Sequence, residues 1–149
     1  MNIPWQILVA SSDLESRRNL MQTLTRQGLD PIGVASIAEC DEVLAKEHVG
    51  LVFCDRHLAD GTFRDLLERA RGGSGKLRVV VTSQHPDWDE YLEAMRYGAF
   101  DVIASPCRPT DVEWMVIQAK RDDRVHAKEL LTAGPGTPAV RRAAAGSAA

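Results

Sequence analysis

Aromatic side chains are scarce, 5% of 149 residues, and cysteine is scarcer, with three in all. Cys40, Cys54 and Cys107 lack the paired spacing of a metal knuckle, and the four histidines are scattered along the chain. A structural zinc site and a disulfide framework are therefore excluded, and the thiols are read as reduced, in a cytoplasmic setting. No apolar run approaches the roughly 20 residues that span a bilayer. The opening MNIPWQ has no basic segment followed by an apolar stretch, so the chain is expected to be neither secreted nor membrane-embedded. Positive charge is not in excess: 18 basic residues face 21 acidic ones, a net charge of −3 with no long basic block. Nucleic-acid binding by this chain is accordingly not expected. Glycine is missing where a phosphate-cradling loop would need it, since VASSDLES (Val9 to Ser16) contains none, which argues against a dinucleotide or P-loop enzyme.

What is present is a rhythm. Short apolar runs rich in β-branched residues alternate with segments of helical period, the pattern of a parallel sheet covered by helices on both faces. Strands are predicted at Gln6 to Ala10, Pro31 to Ala35, Leu51 to Cys54, Leu77 to Thr82 and Asp101 to Ala104. The first helix is predicted from Ser12, with Ser12 and Glu15 as a capping box, Leu14, Met21 and Leu24 inward, and an end near Gly28. The second repeats the device with Ser36 and Glu39 and turns Ile37, Cys40, Val43 and Leu44 inward. A third follows Gly61 and Thr62 and buries Phe63, Leu66, Leu67 and Ala70, before the loop RGGSGK. Pro86 opens a fourth containing Leu92 and Met95, which ends at Gly98. The last follows Pro109 with Thr110 as N-cap and buries Val112, Met115, Val116 and Ala119. The length suits one domain, placed at residues 3–120, with a helical extension over 121–132 and a flexible Ala/Gly/Pro tail over 133–149.

Five parallel strands wound in both directions put ligand chemistry at the strands' carboxyl ends. That topology directs attention to Ser11, Ser12 and Asp13 after the first strand, Asp55 to His57 after the third, Thr82 and Ser83 after the fourth, and Ser105 and Pro106 after the fifth. From the residues alone, Asp55 is either a reactive carboxylate or a strand end that accepts loop amides. Cys54 should point into the core, on the side opposite Asp55.

The apolar third strand ending in Asp55, the LADG turn at Leu58 to Gly61, VVVTS at Val79 to Ser83 and EAMRYGAFDVIASP at Glu93 to Pro106 occur in an order and spacing that resemble a known family. That family is the receiver domains of bacterial two-component response regulators, and the resemblance covers about Ile3 to Lys120. It implies a flavodoxin-like α/β fold with strand order 2-1-3-4-5, a signalling role rather than an enzymatic one, and phosphoryl transfer from a histidine kinase to Asp55, with Thr82 contacting the phosphoryl group. It further implies a cis Ser105–Pro106 bond.

Other family positions are altered. Ser11 and Ser12 stand where the family has two magnesium-holding acids, Ser105 stands in place of the lysine, and Val102 in place of an aromatic switch residue. A full site of three carboxylates and one ammonium carries a net charge of about −2 and calls for a divalent cation. Here Asp55 alone is charged at those positions. No cofactor is expected; a weak magnesium site would draw on Asp55, the carbonyl of His57 and water, with Asp13 as a further candidate that equally serves the helix dipole. Arg56 or His57 could supply the missing positive charge. The leading expectation is an atypical, single-domain receiver or a fragment of a longer regulator. It would act by protein contact, with a histidine kinase or a signalling target as partner and homodimerisation possible, and Asp55 would be phosphorylated weakly or not at all. The alternatives are a working phosphoacceptor receiver and, more remotely, an aspartate-nucleophile hydrolase. Trp88 and Tyr91, with Trp114 and Ile117, are the candidate contact surface.

Overall fold

The computed structural model describes residues 5–72 and 76–132. Five strands, β1 (Gln6–Ala10), β2 (Ile32–Val34), β3 (Val49–Asp55), β6 (Arg78–Ser83) and β7 (Asp101–Ala104), form one parallel sheet in the order β2-β1-β3-β6-β7. Between β3 and the next helix, β4 (His57–Leu58) and β5 (Gly61–Thr62) close a small antiparallel hairpin around the LADG turn, an element that strand periodicity is too short to reveal. The helices are α1 (Leu14–Arg26), α2 (Ile37–Lys46), α3 (Phe63–Gly72), α4 (Trp88–Arg96) and α5 (Pro109–Thr132). The chain divides into two units after Ala119, and the account below concerns the first. The flexible tail expected from residue 133, and the centre of the RGGSGK loop at residues 73–75, lie outside the described residues.

Alternation along the strands makes two cores. Leu8, Ala10, Val52, Cys54, Val79 and Val81 face α2, α3 and α4 on one side, while Ile7, Val9, Leu51, Phe53, Val80 and Ile103 face α1 and α5 on the other. Cys54 is buried as expected, and burial pushes its thiol well above the ordinary value. Cys40 and Cys107 are likewise pushed up to about 12, chiefly by burial, so none is held as a thiolate at neutral pH.

Several helix starts differ from expectation. Asp13, not Ser12, caps α1: its carboxylate accepts both the Ser16 amide, at 2.9 Å, and the Ser16 hydroxyl, at 2.7 Å. A carboxylate one residue further on accepts both bonds and complements the helix dipole, so the frame shifts by one residue and Leu14 turns out to solvent. The Ser16 hydroxyl, followed by the Ser16 amide, holds the Asp13 carboxyl below its usual range. For α4 the N-cap is Asp87, whose Oδ1 accepts the Glu90 amide at 2.8 Å, and Pro86 precedes it. Helix α5 begins at Pro109 itself rather than behind a Thr110 cap, since proline lacks the amide that a first helical position leaves unused. At the other ends, Gly28 (φ 84°) and Gly98 (φ 99°) take the left-handed conformation just past α1 and α4.

The α2 start shows what the hairpin is for. Ser36 caps it as predicted, accepting the Glu39 amide at 3.1 Å, but the two preceding amides belong to Asp60 in the LADG turn. Asp60 Oδ1 accepts from Ile37 at 2.6 Å and Oδ2 from Ala38 at 3.1 Å, and those two bonds hold its carboxyl below the usual range. A carboxyl depressed by folding adds stability above its unfolded pKa and loses it as the pH falls through the folded one. Asp60→Ala should therefore lower the Tm at pH 7, and its gap to wild type should narrow as the pH drops below about 4. Thermal melts across that range check this; a gap independent of pH would rule out the charge as the capping agent.

Candidate functional site

The carboxyl ends of β1, β3, β6 and β7 converge on Asp55, the last residue of β3 and half-buried. Each of its oxygens is met by a hydroxyl: Ser11 Oγ donates to Oδ2 and Thr82 Oγ1 donates to Oδ1, both at 2.5 Å. Both hydroxyls sit on buried residues at strand ends, and the register that sets Asp55 opposite Thr82 places the second directly. The Ser11 oxygen also accepts the Asp13 amide at 3.3 Å, which ties the first loop to the site. A cleft of about 400 Å³ opens above the carboxylate, lined also by Asp13, Arg56, His57, Ser83, His85 and Glu90 among others. Ser105 borders the cleft too, beside a cis Ser105–Pro106 bond, as expected.

Ser11 and Ser12, the two residues expected to depart from the family in the first loop, play different parts. Ser11 gives Asp55 a donor where an acid would be an acceptor, while Ser12 is exposed. Val102 is half-buried and packs against the α2, α3 and α4 core as an ordinary strand residue. Asp13 lines the same cleft, but its Oδ2 is engaged by Ser16. His57, exposed in β4, lines the cleft as well. Among the described residues no group of three or more His, Cys, Asp or Glu side chains is placed to hold a metal ion.

Arg56 does not supply the missing positive charge at Asp55. Its guanidinium pairs with Glu90 at 2.9 Å and Glu93 at 3.3 Å, both on α4. Sequence reasoning passed over those glutamates, although their i, i+3 spacing sets them on one helix face. On the outside of α4, Trp88 is 69% exposed and stacks on Tyr91 with centroids 5.5 Å apart; on α5, Trp114 is 50% exposed.

A doubly wound parallel sheet with an aspartate at the end of its central strand, a threonine across from it and a proline turn beyond defines the receiver class of signalling modules. The family model for the response regulator receiver domain matches residues 7–117, and the chain belongs to that family. It is 27% identical over 122 residues to the response regulator protein PilR of Pseudomonas aeruginosa, which covers 82% of this chain and 27% of PilR. It is 26% identical over 104 residues to the alginate biosynthesis transcriptional regulatory protein AlgB of the same species, covering 70% of this chain and 23% of AlgB. The chain thus spans about a quarter of the length of these curated relatives. Among solved structures, Brucella abortus NtrX in complex with ADP superposes with a TM-score of 0.81 at 20% identity, covering 91% of this chain and 31% of NtrX. The receiver domain of a LuxO repressor protein of Vibrio parahaemolyticus superposes with a TM-score of 0.75 at 15% identity, covering 89% of this chain and all of that one.

Proposed function

We propose that this receiver signals by protein contact, with Asp55 phosphorylated weakly or not at all. The observation that carries the reading is the pair of hydroxyls on Asp55: both carboxylate oxygens accept hydrogen bonds from the protein, and the other acids lining the cleft are engaged elsewhere, Asp13 by Ser16 and Glu90 by Ser83 and Arg56. Phosphoryl transfer needs charge placed to neutralise the phosphoryl oxygens. The donor set offers one carboxylate engaged by two hydroxyls and a second committed to a helix cap, which does not fit a magnesium site. The lysine position is held by Ser105, and among the described residues that line the cleft there is no lysine and the one arginine, Arg56, is committed to α4. Docking would fall to the exposed Trp88 and Tyr91 face of α4 and to Trp114 and Ile117 of α5, toward a protein partner such as a histidine kinase, a signalling target or a second copy.

One contact favours the second reading, a working phosphoacceptor. Thr82 already stands on Asp55, where the family's hydroxyl would contact a phosphoryl group. Incubation with acetyl phosphate and magnesium, followed by intact mass, separates the two. The expected result is no adduct, or a trace that disappears in Asp55→Asn; an adduct on most of the protein that is absent from the variant would establish the second reading.

A further inference from the structure

Helix α4 is held less by apolar burial than its neighbours. Of its nine residues only Ala94 is buried, whereas α3 buries Phe63, Leu66 and Leu67. Ala94, with Met95 packed partly buried against the same core, offers less hydrophobic stabilisation than three large buried side chains, so polar contacts carry more of what sets where α4 lies.

Polar ties run along its whole length. At its first turn, Glu90 Oε1 accepts Ser83 Oγ at 2.9 Å and pairs with Arg56 Nη1 at 2.9 Å. One turn on, Glu93 Oε1 pairs with Arg56 Nη2 at 3.3 Å, while its Oε2 pairs with Arg64. At its far end, the Tyr97 carbonyl accepts Arg71 Nη2 at 2.9 Å, and the Tyr97 ring lies 5.3 Å from the Arg64 guanidinium and edge-on to Phe63 at 6.4 Å. The Phe63 ring receives both guanidiniums, Arg56 at 5.9 Å and Arg64 at 5.6 Å. The anchors come from the ends of β3 and β6 and from both ends of α3, elements fixed by the core. Two arginines face two glutamates, so the cluster is internally neutral. The four side chains are 19% to 43% exposed, so these pairs are partly screened, least at Arg56–Glu90.

We propose that this network of Arg56, Arg64, Glu90 and Glu93 is a fixed latch that positions α4, and with it the Trp88 and Tyr91 face, whatever the state of Asp55. The inference rests on the phosphorylation-independent reading above and deepens it. Arg56 is the connecting piece: it follows Asp55 in the chain and lines the same cleft, yet its charge is directed to α4. A coupling of α4 to Asp55 that ran through Arg56 would have to draw it away from two carboxylates.

Hydrogen exchange read by mass spectrometry on the full chain tests the latch, with α1 as internal reference. Glu93→Gln is expected to speed exchange of the α4 amides on the order of tenfold while α1 is unchanged, and Asp55→Asn to leave α4 as in wild type. Arg64→Lys, which keeps the charge but loses the fork and the ring stacking, should fall between. If Glu93→Gln loosens the whole domain, the wild type decides the matter. Raising salt from about 0.01 M to about 1 M shortens the screening length from about 30 Å to about 3 Å and should speed α4 exchange selectively. Unchanged α4 exchange in Glu93→Gln, or no selective salt effect where that variant is loosened throughout, would overturn the latch. A final arm adds acetyl phosphate and magnesium to wild type. An Asp55 adduct with α4 exchange unaltered overturns only the phosphorylation-independent reading; an adduct that alters α4 exchange overturns the latch as well.

Discussion

Introducing Ser11→Asp, Ser12→Asp and Ser105→Lys together is expected to raise acetyl-phosphate-driven phosphorylation of Asp55 at least about a hundredfold over the parent chain, and only with magnesium present. Ser11 Oγ lies 2.5 Å from Asp55 Oδ2, so an aspartate there brings a second carboxylate against the first, and the third completes a cluster with the charge deficit that a divalent cation fills. Ser105 borders the same cleft, within which a lysine ammonium is to meet the phosphoryl oxygens. At an effective dielectric of 20, unit charges about 4 Å apart interact by about 4 kcal/mol, and each 1.4 kcal/mol of barrier is about tenfold in rate. A hundredfold gain is therefore a conservative expectation. Intact mass against time, with Asp55→Asn in the same background as control, measures it. A parent chain phosphorylated as fast as the variant would show that the hydroxyl-capped site is already competent.

A companion measurement isolates the physics. Ser11→Asp alone replaces a donor to Asp55 by an acceptor, and a hydrogen bond to a charged group contributes about 1.5 to 3 kcal/mol. In metal-free buffer its Tm should fall below wild type, and magnesium should restore it.

Gly50→Ala is expected to cost about 1 to 3 kcal/mol of stability, with a Tm lower by roughly 4 °C per kcal/mol for a chain of this size. Gly50 is buried in β3, and a Cβ built on it falls 2.3 Å from Trp5 Cδ2 and 2.4 Å from Cγ, far inside any allowed contact. The indole cannot easily retreat. It is 5% exposed within the α1 and α5 core, and the buried Arg78 guanidinium lies 5.9 Å from its ring. Glycine is required here by the close approach of a ring to the backbone, at a position inside a strand where its own propensity is unfavourable. Chemical denaturation of the variant checks the figure, and a change within about 0.5 kcal/mol would show that the ring is free to move.

The sheet was legible because its signal is redundant. Five β-branched runs, each repeated on two faces, leave few competing arrangements, and the two strands at the chain's outer positions, Gln6–Ala10 and Asp101–Ala104, keep their predicted bounds. Asp55 was legible because a lone acid after VGLVFC has nowhere to go but the end of the strand. The helix starts were less so. Ser12 and Asp13 are adjacent residues that can each cap a helix, and Asp13 takes the position with a carboxylate that accepts both the amide and the hydroxyl of Ser16. Arg56 was an open question because nothing within its own stretch pairs with it, and its partners lie on α4.

Periodicity and residue type alone thus settle where the five strands of the main sheet lie and which carboxylate ends the central one, since each of these is a local property repeated along the chain. Folding alone settles the rest: that the acid of the LADG turn caps a helix beginning 23 residues before it, that Ser11 donates to Asp55, and that Arg56 serves α4 rather than Asp55. In each case several chemically equivalent partners compete for one polar group. The winner is the one that the packed sheet brings within hydrogen-bond distance, because a partly buried polar group left without a partner costs more than any local preference returns.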